Sequence, residues 1–146
     1  MKKPVLLVSL CLLSFVSCRS DSFDLSKVWW APTFEDVARA DNIKMLIFLY
    51  GFDYNYHQPL EDLTEFARIT DPEKIDRIME AIGNSQRDTW PEGCLGTKMA
   101  LIDEKNRGLI FNFCWDDKSK RVEFTCGYSE ELYDLLVEYG VIPRRD

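Results

Sequence analysis

A single histidine, His57, stands in a chain of 146 residues. That scarcity excludes the His-Glu-x-x-His zinc-protease pattern and leaves no Cys/His set for a structural zinc. No cysteine pair has Cys-x-x-Cys spacing, so no thioredoxin-type redox motif is present either. The seven glycines form no P-loop, no dinucleotide-binding fingerprint and no Gly-x-Ser-x-Gly elbow. No apolar run approaches the ~20 residues of a membrane-spanning helix. Positive charge is short as well: 18 Lys and Arg face 25 Asp and Glu, a net charge of −7. Nucleic-acid binding rests on cations neutralising phosphates, and attraction to anionic lipid rests on basic patches, so both are excluded as charge-driven functions. What the chain has in quantity is core material, 46% apolar and 13% aromatic, which excludes intrinsic disorder. The length suits one domain and is too short for a TIM barrel.

The first residues have the order of an export signal. Met1-Lys2-Lys3 is basic, Val5–Val16 is apolar except for Ser9 and Ser14, and small and polar residues follow from Ser17 to Ser22. Twelve residues make a helix of about 18 Å, against a bilayer core of about 30 Å. The stretch is apolar on all sides, unlike a helix packed on a core. Phe15-Val16-Ser17-Cys18 resembles the lipobox of bacterial lipoproteins. The resemblance implies cleavage before Cys18 and acylation of its side chain and new amino terminus, with fatty acids such as palmitate. Several acyl chains hold a protein on a membrane stably, where one holds it marginally. The alternative is ordinary cleavage near Cys18 or Ser20, releasing a soluble secreted or periplasmic protein. The expected organisation is a signal over 1–17, a tether over 18–28 and one domain over 29–146. Loss of Lys2 and Lys3 takes the net charge from −7 to −9.

Five cysteines are present: Cys11, Cys18, Cys94, Cys114 and Cys126. Cys11 leaves with the signal, and an acylated Cys18 leaves three thiols in the domain. An extracytoplasmic location permits one disulfide. Three thiols cannot all pair internally, so at least one is expected to be a small buried apolar side chain.

Helix signals are clear in three places. Thr33 and Asp36 make a capping box for a short helix ending near Ala40–Asn42. Asp71-Pro72-Glu73 opens a second, with a stripe of Ile75, Ile78, Met79 and Ile82 and a left-handed cap expected at Gly83. Ser129 caps a third, with Leu132, Leu135, Leu136 and Tyr139 as its stripe and Gly140 and Pro143 as its stop. Lys44–Tyr50 is a continuous apolar run that suits a strand buried on both faces. The segment 60–69 is compatible with a strand or a helical turn.

Strands are expected over Leu95–Asp103, Leu109–Trp115 and Arg121–Gly127, joined by tight turns and therefore antiparallel. Pairing Phe113 with Val122 and Phe111 with Phe124 puts the apolar side chains on one face, whereas a one-residue slip does not. That register turns Cys114 away from Cys126 and makes Cys94–Cys114 the expected bridge. The fold class is α+β: an antiparallel sheet of about four strands with two or three helices packed on one face.

Catalytic patterns are few. His57 lies in a loop after the buried strand with Asp53, Tyr54 and Tyr56, enough for an acid–base pair beside a stacking platform. No nucleophile stands next to it, and the plainer reading is an aromatic loop covering the core's edge. Glu61-Asp62 and Glu130-Glu131 offer the paired carboxylates of a glycosidase, but each has a surface or capping role. Asp116-Asp117 reads as a solvated turn and no metal site is assigned. Trp29, Trp30 and Trp90 flank loops, where exposed tryptophans serve as binding anchors.

No cofactor is expected. The preferred reading is a non-enzymatic, lipid-anchored acidic domain that binds a basic protein partner in the cell envelope. An inhibitor or immunity-type protein is one form of it. The alternatives are a small extracytoplasmic hydrolase using Asp53 and His57, and a structural accessory of an envelope assembly.

Overall fold

A computed structural model describes residues 28–30, 33–51, 62–87, 96–124 and 127–144. The elements are β1 (Val28–Trp30), α1 (Phe34–Ala38), β2 (Ile43–Tyr50), β3 (Thr64–Ile69), α2 (Pro72–Gly83), β4 (Gln86–Arg87), β5 (Thr97–Asp103), β6 (Gly108–Asp116), β7 (Arg121–Phe124), β8 (Gly127–Ser129) and α3 (Glu130–Glu138). The fold is α+β. Its sheet runs β3-β2-β5-β6-β7-β8-β4, with β1 joined off this path beside β6, eight strands among the described residues. About four strands had been expected. The additions are short or irregular: β1 and β8 have three residues each and β4 two, too few to show a period.

Every pairing along the path is antiparallel, while β1 runs parallel to β6. β7 takes the Phe113–Asp116 half of β6's outer edge and β1 takes the Gly108–Ile110 half. Gly108 sits where β1, β5 and β6 converge. A Cβ there would lie 2.7 Å from Ile102 Cδ1 of β5 and 3.0 Å from Val28 Cγ2 of β1, so the close approach of the two strands favours glycine.

The helices close as their caps dictate. Thr33 and Asp36 form the reciprocal box, and the Asp71 carboxylate accepts from the N–H groups of Glu73 and Lys74. Ser129 Oγ accepts from Leu132 N–H at 3.0 Å. At the end of α3, Gly140 adopts φ 75°, and its N–H bonds the Val137 carbonyl while that of Val141 bonds the carbonyl of Leu136. This Schellman arrangement turns the chain so that Val141 and Ile142 bury themselves against the core. Gly83 does not play the same part: α2 runs through it and ends on Asn84 at φ −86°. No left-handed residue is needed there because the chain continues directly into β4.

The main core lies between the sheet and all three helices. Val37 of α1, Ile75, Ile78 and Ile82 of α2, and Leu132, Leu135 and Leu136 of α3 pack on Leu46, Phe48, Met99, Phe111, Phe113 and Phe124. The expectation of helices on one face therefore holds. The opposite face is apolar too: Val28, Ile47, Leu49, Leu63, Ala100, Ile102 and Ile110 form a second buried layer. β2 supplies both layers by alternation, which is why its four residues Leu46–Leu49 are all buried.

Two expected details of the strands are corrected. Phe113 pairs with Phe124 and Trp115 with Val122, a register two residues away from the one anticipated. The apolar residues still share one face, because a slip of two preserves parity. The four-residue turn 117–120 sets the register, with Lys120 at φ 51° closing it onto the Asp116–Arg121 pair. The expected strand Arg121–Gly127 is two strands: β7 stops at Phe124, and Gly127 starts β8 running back antiparallel.

Candidate functional site

Most residues singled out in the sequence fall outside the described residues: Cys18, Asp53, Tyr54, Tyr56, His57, Trp90 and Cys94. Trp29 and Trp30 lie in β1 as backbone partners of Leu109 and Ile110. Glu130 and Glu131 are exposed in the first turn of α3, where the partial positive charge of the helix start favours them. Asp116 and Asp117 are committed to the hairpin and the helix above it. The Asp116 carboxylate accepts from Lys118 N–H, Ser119 N–H and Ser119 Oγ, and Asp117 accepts from the Tyr133 hydroxyl at 3.0 Å. Among the described residues no group of three or more His, Cys, Asp or Glu is placed to hold a metal ion.

Cys114 is disulfide-bonded. Its partner lies outside the described residues, since Cys114 is the one cysteine within them. Alternation along β6 puts Cys114 on the second face with Ile110 and Asn112. A polar row crosses that face. Lys98 stands opposite Asn112, and two residues further along β6 the row continues as Cys114, Glu123, Tyr128 and Gln86, each opposite the next. The Arg121 guanidinium pairs with Glu123 and lies 5.1 Å from the centroid of the Tyr128 ring, whose hydroxyl donates to Gln86 Oε1 at 3.1 Å. Lys98 is only 3% exposed. Its burial was not legible in the sequence: on a strand with one wet face, Lys98 would point to water. Among the described residues the row holds hydrogen-bonding groups but no hydroxyl or thiol nucleophile beside a base.

The outer surface of the helical layer has a different character. On α2 and α3 the exposed charged residues are Glu73, Asp76, Glu80, Glu130, Glu131, Asp134 and Glu138 against Lys74 and Arg77. The two helices pack together, with Arg77 Nη1 3.3 Å from Glu138 Oε1 and 2.8 Å from the Tyr139 hydroxyl. Burial pulls the Arg77 pKa down, but Tyr139 and Glu138 outweigh it and the net shift is upward. Acids in the first turns stabilise the helices; Glu80 and Glu138 do not, because they stand in the last turns, near the partial negative charge of the helix ends. Neither helix has a basic residue in its last turn.

Beyond the end of α3 this acidic layer borders a groove of about 680 Å³, lined by Asp134, Val137, Glu138, Ile142, Pro143 and Arg144 among others. The sequence shows the i, i+4 spacing of Asp134 and Glu138, but not the groove, which depends on Ile142 and Pro143 folding back. A smaller cleft of about 140 Å³ lies beside the β5–β6 turn, with Asp103 and Arg107 at its rim. These two are already paired, Arg107 Nη2 to Asp103 Oδ2 at 2.8 Å.

Two turn carboxylates titrate below their ordinary value. Burial pushes Asp103 up, but hydrogen bonds from the Arg107 backbone and side chain, the Arg107 charge and the Lys105 N–H outweigh it. For Asp116 the Ser119 hydroxyl is the main cause, helped by the Lys118 N–H, the Ser119 N–H and the Arg121 charge against a smaller effect of burial. A carboxyl depressed in the folded state stabilises the fold above its unfolded pKa of about 3.9, and that contribution disappears as pH falls through the folded value. Melting temperature is thus expected to fall as pH drops below about 4. Asp103→Asn and Asp116→Asn should each flatten this acid limb, as followed by circular dichroism between neutral and acid pH. An unchanged slope in both variants would overturn the assignment.

No known protein family, curated protein or solved structure matches this chain. Among the described residues no helix is long and apolar enough to cross a membrane.

Proposed function

We propose that the chain is an exported acidic binding domain, lipid-anchored through Cys18, that engages a basic macromolecular partner in the cell envelope. An inhibitor or immunity-type protein is one form of this role. The carrying observation is the excess of exposed acids over bases on α2 and α3, part of it at helix ends where stability disfavours it. Such a surface raises the association rate with a cationic protein and discriminates against acidic ones. The leader sequence supports export, and the disulfide at Cys114 suits an oxidising compartment. The reading includes Cys94 as the partner of Cys114 and Trp29, Trp30, Trp90, Tyr54 and Tyr56 as further contact residues.

Two measurements test it. Cells expressing the chain and fed labelled palmitate should place the label on it, and Cys18→Ser should remove essentially all of that label and release the protein from the membrane fraction. The immobilised chain should retain from envelope extract a basic protein that is eluted by raising the salt concentration. A chain that stays in the cytosol unlabelled defeats the anchoring. Failure to retain any basic protein at low salt defeats the binding role.

A further inference from the structure

Resting on that reading, we infer that the groove beyond α3 is the specific docking point on the acidic layer, and that its occupant is a lysine or arginine side chain of the partner. Several independent observations converge there. The groove is large enough for a long side chain, about 680 Å³. Its walls are mixed: Val137, Ile142 and Pro143 are apolar, while Asp134 and Glu138 bring two carboxylates to one side. The Schellman turn opens it where the α3 carbonyls carry partial negative charge. Lysine and arginine match this arrangement, with an aliphatic stem for the apolar wall and a cation for the acids.

The fold pairs only one of the two carboxylates in the groove. Asp134 and Glu138 are one turn apart on the same face, where like charges repel. Asp134 has no ion pair among the described residues, and Arg77 reaches Glu138 from the α2 side at 3.3 Å. Arg144 lines the groove and is exposed, and no ion pair joins it to either acid. The lining counts two carboxylates against the one guanidinium of Arg144, a net charge of −1, and Asp134 is the carboxylate left for an incoming cation.

Asp76 and Glu80 on α2 provide the internal control. They have the same i, i+4 spacing and exposure and are not among the residues that line this groove. The test is a chemical-shift titration of the purified chain with Nα-acetyl-argininamide, and with Nα-acetyl-norleucinamide as the uncharged analogue. The expected result is saturable shifts centred on residues 134–144 with the arginine probe and much smaller ones with norleucine. Asp134→Asn/Glu138→Gln should weaken binding roughly threefold or more, and Asp76→Asn/Glu80→Gln should leave it unchanged. A melting temperature at or above that of the unmodified chain would show that the groove variant is folded.

Shifts centred elsewhere, or equal weakening by both double variants, overturn the groove while leaving a basic partner in place. The separating probe is hexa-arginine amide. If it binds at low salt and is indifferent to the Asp134/Glu138 variant, the groove alone is wrong. If neither arginine probe binds at low salt, both the groove and the basic-partner reading fall.

Discussion

Replacing Phe113 by alanine should cost about 3–5 kcal/mol, much of the ~5–15 kcal/mol that holds a typical domain folded. Phe113 is fully buried and sits at the middle of an aromatic row on the helical side of the sheet. Its ring meets Phe48 edge-on at 5.8 Å and Trp115 at 6.0 Å, and Phe48 in turn lies 6.3 Å from Phe66. Alanine would leave a cavity between β2, β6 and the helices, which neighbours of this size cannot fill by small shifts. The corresponding drop in melting temperature is roughly 6–20 °C for a chain of this size. Phe66→Ala is the comparison: Phe66 is 42% exposed and belongs to the same row, so its loss should cost about 1 kcal/mol or less. Similar losses for the two, measured by urea unfolding, would mean the row is not packed as described.

Cys114→Ala should be nearly as damaging, about 2–5 kcal/mol, because it removes the cross-link made by β6. The check does not depend on mutation alone. A reducing agent should lower the melting temperature of the unmodified chain by about as much as the substitution does, and leave Cys114→Ala itself unmoved. Non-reducing peptide mapping should find the Cys114 peptide joined to that of Cys94, and Cys94→Ala should reproduce the loss. A chain whose stability ignores the reducing agent, and whose Cys114 reacts with alkylating reagents when unfolded without reduction, would show that no cross-link exists.

How much of this fold was legible depended on the kind of signal. Caps are local chemistry, so Thr33, Asp71-Pro72 and Ser129 marked the starts of all three helices and Gly140 the end of the last. The continuous apolar run of β2 announced burial on both faces. β3 stayed ambiguous because its pairing with β2 skips Phe66: Phe48 faces Ala67 and Leu49 faces Glu65. That bulge interrupts the period of two, leaving Leu63, Phe66 and Ile69 at a spacing that looks helical. The β6–β7 register was open to a slip of two because hydrophobic pattern determines which face a residue occupies, not how far the strand has slid. The turn settled it. For the candidate site, the acids on α2 and α3 could be counted from the residues alone. The groove needed the three-dimensional return of Ile142 and Pro143, and the burial of Lys98 needed a second covered face that no single strand's pattern records.

The position of β1 bears on how the chain is made. Val28 meets Gly108, and Trp30 meets Ile110, so the first of the described strands has a mate that is synthesised some eighty residues later. The β2–β3 and β5–β6 hairpins can zip up as soon as their own second strands appear, since each closes a much shorter loop. β1, a Val-Trp-Trp segment, can pair only once β6 is available. Its docking on β6 spans the longest stretch of chain of any pairing among the described strands, so closing that loop carries the largest entropic cost in the sheet.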